Sequence, residues 1–199
     1  MGSTLLISLY IACELIANIT ASKPVSVFGF VAPGGVFIYA LTFTLIDLVN
    51  ERLGRQGAQR VIYAAFAANT LLALYSMFII ALPSPSYYTN QNAIATVLGS
   101  TPRVVAASLL AYLVSSLIDV EIFAAWKRRV GGHKWARVIL SNTVSTAVDS
   151  ALFVTAAFAG TLPLIPLIVG QYLIKMAVTV ISVPLIYASK YVDAEQSEG

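Results

Sequence analysis

Six long apolar runs dominate this chain of 199 residues, at positions 4–20, 35–50, 58–82, 102–126, 138–159 and 163–189. About 20 apolar residues in a helix cross roughly 30 Å of hydrocarbon. A lone strand in lipid would leave its backbone polar groups unpaired, and the runs lack the strict alternation of barrel strands. They therefore predict six transmembrane helices. Only 11% of the residues are charged and the mean hydropathy is +0.83. A typical soluble domain carries about 25% charged residues, and a disordered chain needs low hydrophobicity. The expected fold is an all-α integral membrane protein, with residues 1–199 forming a single transmembrane domain as one bundle.

Prolines mark the predicted boundaries. Pro24 and Pro33 fall in the first connection, Pro83 and Pro85 close the third run, and Pro102 opens the fourth. Pro163 and Pro166 stand at the start of the sixth, where a missing N–H costs little. Pro184 lies inside that run and predicts a kink. The first run has no basic leader and is interrupted by Glu14, so it reads as a retained helix rather than a signal peptide.

Basic residues cluster on alternate connections. Arg52, Arg55 and Arg60 follow the second run, and Lys127, Arg128, Arg129, Lys134 and Arg137 follow the fourth. The connection at 83–101 contains neither Lys nor Arg. The positive-inside rule then places both termini in the cytoplasm, in a multi-pass protein of the cell membrane. These positions account for the net charge of +3 as a topology signal, which removes the case for a nucleic-acid partner and leaves the lipid bilayer. Lone Cys13 excludes an internal disulfide and a cysteine-based zinc site.

Several ionisable residues remain inside the runs: Glu14, Asp47, Asp119, Glu121, Asp149 and Lys175. Each costs about 2.5–3.5 kcal/mol at a helix centre, so it needs a partner, a wet cavity or a proton. At ~1.5 Å per residue, Glu14, Asp149 and Lys175 lie ~16–18 Å from a helix end. Lys175 is expected to pair with Asp149 or Glu14. The fifth run carries Asn142, Ser145, Thr146 and Asp149 on one face, and the sixth carries Gln171, Lys175, Thr179 and Ser182. The first carries Tyr10, Glu14 and Asn18; the fourth pairs Ser115 with Asp119. Pointing these four stripes at one interior cavity is the simplest packing, with the third run, polar only at Asn69 and Ser76, more peripheral. The serines, Thr146 and Asn69 are ordinary interhelical hydrogen-bonding groups. Asp149, Gln171 and Lys175 are the leading substrate-binding candidates, followed by Glu14, Asn18, Asp119 and Asn142.

The fourth and fifth runs share V-S-x-x-x-D-x-x-x-F, from Val114 to Phe123 and from Val144 to Phe153. Antiparallel neighbours with a shared pattern fit the inverted repeats of transporters. There is no phosphate-binding G-x-x-x-x-G-K-[ST] loop and no H-E-x-x-H, and His133 is the sole histidine. Neither a catalytic site, a metal nor a cofactor is expected.

The stretch from Thr20 to Pro24, followed by Gly34 to Glu51 with Leu45-Ile46-Asp47-Leu48, resembles the second-helix signature of the queuosine precursor transporter family, also called VUT. That signature reads G-x-F-x-[YF]-P-x-[TI]-F and then T-D-L; Ala40 stands here where the family usually has proline. Leu117 to Phe123 resembles the family's L-D-V-x-[VI]-F. Ser141 to Ser145, with Asp149 to Phe153, resembles its fifth-helix pattern, and Gln171 to Lys175 its [QD]-Y-x-x-K. The resemblance implies uptake of purine-like 7-deazaguanine precursors of modified tRNA bases, 7-cyano-7-deazaguanine or its aminomethyl relative. The alternative it implies is a substrate-binding subunit of an energy-coupling-factor transporter, partnered by separate ATPase subunits. A carboxylate could accept the guanine-like N–H edge, Gln171 or Asn142 could meet O6, and Tyr10, Tyr39 or Tyr172 could stack on the ring. Glu14 or Asp119 could carry a coupled proton.

Overall fold

The computed structural model describes the backbone of residues 2–129 and 134–195, and the side chains of residues 2–50, 52–115, 117, 118, 143–178 and 180. The elements in chain order are α1 (Ser3–Thr20), β1 (Pro24–Val27), β2 (Phe30–Pro33), α2 (Val36–Ala81), α3 (Gln91–Gly99), α4 (Thr101–Arg129), α5 (Lys134–Phe158) and α6 (Leu164–Glu195). Among the described residues the fold is all-α apart from one small hairpin. Ser3–Thr20, Arg52–Ala81 and Gln91–Ser115 are long and apolar enough to span a bilayer, and the shorter described segments Val36–Asn50, Thr143–Phe158 and Leu164–Val178 are also apolar. Large side chains such as Leu71, Leu74, Leu113, Ile165 and Val180 are exposed, the surface that a lipid solvent allows.

Two of the expected runs belong to one helix, α2, interrupted at Gly54 (φ 69°, ψ 176°). Only glycine takes that conformation readily. Contacts on either side show that the chain doubles back there. Gly35 abuts Ala17 near the end of α1, while Val49 packs beside Leu6 near its start. Past Gly54, Ala58, Val61 and Ala65 return to the same cluster as Leu6 and Tyr10, and Asn69 then reaches Asn18. The first arm of α2 therefore runs antiparallel to α1 and the second parallel to it.

The hairpin is a finding that the apolar runs concealed. β1 and β2 pair antiparallel from Pro24↔Pro33 to Val27↔Phe30. Phe28 and Gly29 turn at φ 51° and 84°, both positive as a tight two-residue hairpin turn requires. Alternating valines around Phe28-Gly29 are the sequence signal for it. β2 lies on α6 so closely that a Cβ on Gly170 would fall 2.0 Å from the Val31 carbonyl oxygen.

The connection at 83–101 contains α3, none of whose residues is buried. Gln91 pins its start to the end of α2: Ser84 donates to Gln91 Oε1 at 2.7 Å, and Gln91 Nε2 donates to the Ile80 carbonyl at 3.2 Å. At the same end of the bundle, Arg103 on α4 donates to the carbonyls of Ala156 (2.7 Å) and Ala159 (2.8 Å). These acceptors are among those a helix C-terminus leaves open, and a cation suits that end of the helix dipole.

The apolar core has two parts. One joins Ala21, Val104, Ala107, Val154, Phe158 and Leu167 at the hairpin end; the other joins α1 to both arms of α2. The polar groups gather between them.

Candidate functional site

A cavity opens near the hairpin end, with about 370 Å³ of empty space, the open solvent at its mouth included. Five helices line it, through Asn18 on α1, Tyr39 on α2, Ser108 on α4, Asp149 and Phe153 on α5, and Gln171 and Lys175 on α6. Helical spacing brings the last pair together, since residues four apart share a face. Small residues make room for the rest. A Cβ on Gly35 would lie 2.1 Å from the Ala17 carbonyl oxygen, so only glycine lets the start of α2 approach α1 this closely.

Lys175 is 3% exposed and forms an ion pair with Asp149 Oδ2. Its ammonium also sits 4.8 Å from the centre of the Tyr39 ring, within the range at which a cation is drawn to an aromatic face. Of the two partners the sequence allowed for Lys175, the structure selects Asp149. Among the described residues, the other carboxylate oxygen, Oδ1, makes no hydrogen bond.

Gln171 is 2% exposed, and its Oε1 is buried without a hydrogen-bond partner among the described residues. Leaving such a group unpaired costs stability, which makes it a natural contact for something that enters the cavity. Asn18 donates its amide to Asn69 Oδ1 at 2.6 Å, while Asn69 donates to the Ala65 carbonyl at 3.0 Å. The Asn18 carbonyl oxygen remains for the cavity. The site thus combines fixed acceptors, one neutralised ion pair and an aromatic face.

Four of the seven residues expected at a substrate site meet here: Asn18, Asp149, Gln171 and Lys175. Glu14 does not line this cavity. It lines a second one, of about 320 Å³, which shares Tyr39 and Ser108 as walls. The Asp119 and Asn142 side chains lie outside the described residues, as do those of Glu121, Thr179, Ser182 and Pro184. Of the three tyrosines considered for stacking, Tyr39 lines the cavity, whereas Tyr10 is buried in the apolar cluster and Tyr172 is elsewhere on α6. Phe153, the last residue of the repeated motif, lines the wall near Asp149. Ser108 carried no signal in the sequence beyond being polar. The third run is the least buried of the three long apolar spans, as its composition implied, and Asn69, 2% exposed and bonded to Asn18, is the point at which it joins the site.

An ion-paired polar cavity within a bundle of apolar helices is the architecture of a multi-pass membrane carrier. Residues 33–189 match a family model described as "Putative vitamin uptake transporter", and the chain belongs to that family. It is 32% identical over 179 residues, 87% of its length and 78% of the relative's, to a Bacillus subtilis (strain 168) protein named "Probable queuosine precursor transporter". It is 26% identical over 142 residues to the "Queuosine precursor transporter" of Escherichia coli (strain K12), covering 71% of this chain and 62% of that one. No solved structure matches it. The protein is a membrane transporter rather than an enzyme.

Proposed function

We propose that the protein imports a queuosine precursor, a 7-deazaguanine base such as 7-cyano-7-deazaguanine or its aminomethyl relative, across the cell membrane. The observation that carries this reading is the Asp149–Lys175 pair set against Tyr39, beside the unpartnered carboxamide of Gln171. A guanine-like base has a planar face and an edge of N–H donors next to a carbonyl oxygen. Asp149 Oδ1 and the Asn18 carbonyl oxygen would accept from that edge, Lys175 would donate to the carbonyl, and Gln171 has both a donor and an acceptor to offer. Tyr39 would meet the ring face. The names of the two relatives supply the substrate class. Both names are of transporters and neither is of a binding subunit, which favours uptake by the chain over the energy-coupling-factor alternative.

The positive-inside rule supports cytoplasmic termini, which would put the hairpin and the cavity mouth on the opposite face. In that arrangement the cavity faces the side from which a nutrient arrives.

Uptake of labelled 7-cyano-7-deazaguanine by the purified protein in liposomes tests the reading. Asp149→Asn and Gln171→Leu should each weaken binding at least about tenfold, equivalent to ~1.4 kcal/mol. Gln171→Leu should leave thermal stability equal or higher, because it removes a buried group without a partner. Unchanged affinity in both variants would show that the base binds elsewhere.

A further inference from the structure

Glu14 is the acid that the substrate cavity leaves unused. It sits six residues before the end of α1, ~9 Å of helix in from Thr20. Its cavity also contains Asn69 and Tyr112, and the wall between the two cavities is built from Tyr39 and Ser108. Among the described residues, no hydrogen bond or ion pair is made by the Glu14 carboxylate. Among the described residues, Tyr10 and Cys13 on α1 itself, Tyr39 on α2, Asp149 on α5 and Lys175 on α6 lie within electrostatic range of Glu14, and Tyr112 on α4 lines its cavity. The cation in this set, Lys175, is held by Asp149.

A carboxylate in a membrane interior without its own cation is costly, and such groups mark ion and proton pathways. An acid retained only to bond neighbouring helices would show a partner. A bound metal cation would need several oxygen ligands. Asn69, the carboxamide of this cavity, has given its oxygen to Asn18 and its N–H to the Ala65 carbonyl. A proton needs the carboxylate alone.

We infer that Glu14 is the site of the coupling proton, taken up beside the loaded substrate cavity and released on the far side of the membrane. The inference rests on the uptake function proposed above. The step is a protonation, Glu14 COO⁻ plus H⁺ giving COOH, and no bond in the substrate changes. Coupling runs through the shared wall, because a base lying against Tyr39 bears on the residue that closes the Glu14 cavity as well.

The experiment uses the full chain in liposomes with labelled 7-cyano-7-deazaguanine as probe. Wild type should accumulate the base above equilibrium when the outside is acidic, and a protonophore should abolish this. Glu14→Gln should keep counterflow exchange within about threefold of wild type and lose accumulation driven by the pH gradient. Accumulation by Glu14→Gln at the wild-type level overturns the inference, as does wild-type uptake driven by sodium and indifferent to the pH gradient. Loss of counterflow in Glu14→Gln at unchanged melting temperature makes Glu14 a substrate ligand and overturns it too. If Glu14→Gln is unstable, Glu14→Asp decides: gradient-driven accumulation supports the inference, and intact counterflow without accumulation overturns it. Absence of counterflow in wild type fails the substrate reading itself, and this inference with it.

Discussion

The Asn18 amide donates to Asn69 Oδ1 at 2.6 Å, joining residues 51 positions apart with both side chains buried. This bond ties the second arm of α2 to α1 beside the candidate cavity. It also explains why α2 must fold back at Gly54, since a straight helix could not return Asn69 to the height of Asn18.

The bond predicts measurable coupling. Asn18→Ala and Asn69→Ala should each destabilise the protein in detergent. The double variant should be less destabilised than the sum, by about 0.6 kcal/mol and at most roughly 1.7 kcal/mol, the range for interhelical bonds in membranes. A double-mutant cycle from unfolding measurements checks this, and strict additivity would deny the bond an energetic role.

The ion pair between Lys175 and Asp149 makes a different prediction. Lys175→Ala leaves a buried carboxylate without its cation, and breaking a buried pair this way costs about 3–5 kcal/mol. Replacing both partners, as Lys175→Met with Asp149→Leu, removes the unpaired charge as well and should restore most of the stability. Uptake should stay lost in the double variant, because the groups that meet the base are gone. Melting temperature and uptake measured side by side separate the two roles. Recovery of both together would mean the pair is structural only.

Close backbone approach gives a third prediction. Gly170→Ala puts a Cβ 2.0 Å from the Val31 carbonyl, and Gly35→Ala puts one 2.1 Å from that of Ala17. Neither obstacle is a flexible side chain, so both variants should lower the melting temperature sharply. Gly54→Ala meets nothing within 4 Å, and its cost is conformational, about 1–3 kcal/mol for a residue held in a region reserved for glycine. Thermal unfolding in detergent ranks the three, and Gly54→Ala as the most damaging would contradict the packing described.

The helices were legible because lipid demands long apolar runs, and the site was legible where charge stands out against them. Asp149, Gln171 and Lys175 are conspicuous on apolar helices, and helical spacing alone puts the last two on one face. Tyr39 was visible only as one of three tyrosines, because choosing among them needs the helix rotations that packing sets. The hairpin was missed for a local reason: it fills the connection between the first two runs, and its pairing depends on the turn at Phe28-Gly29 rather than on hydropathy. Asn69 looked like an isolated polar interruption because its partner lies 51 residues away on a helix whose contact requires the reversal at Gly54. The proposed substrate class comes from the resemblance to a known family, since no spacing in the chain encodes it.

The seating of β2 on Gly170 bears on how the cavity could ever be exposed. With no room for a methyl group between the two backbones, the hairpin and the first turns of α6 have little freedom to slide past each other. Gly35 is equally tight against Ala17. The rim of the candidate cavity is thus built from two closely packed pairs, the hairpin with α6 and α1 with the start of α2. Two stretches join them, residues 21–23 and 34–35, tied to each other where Gly34 N–H donates to the Lys23 carbonyl at 2.7 Å, so an opening motion would have to bend both together.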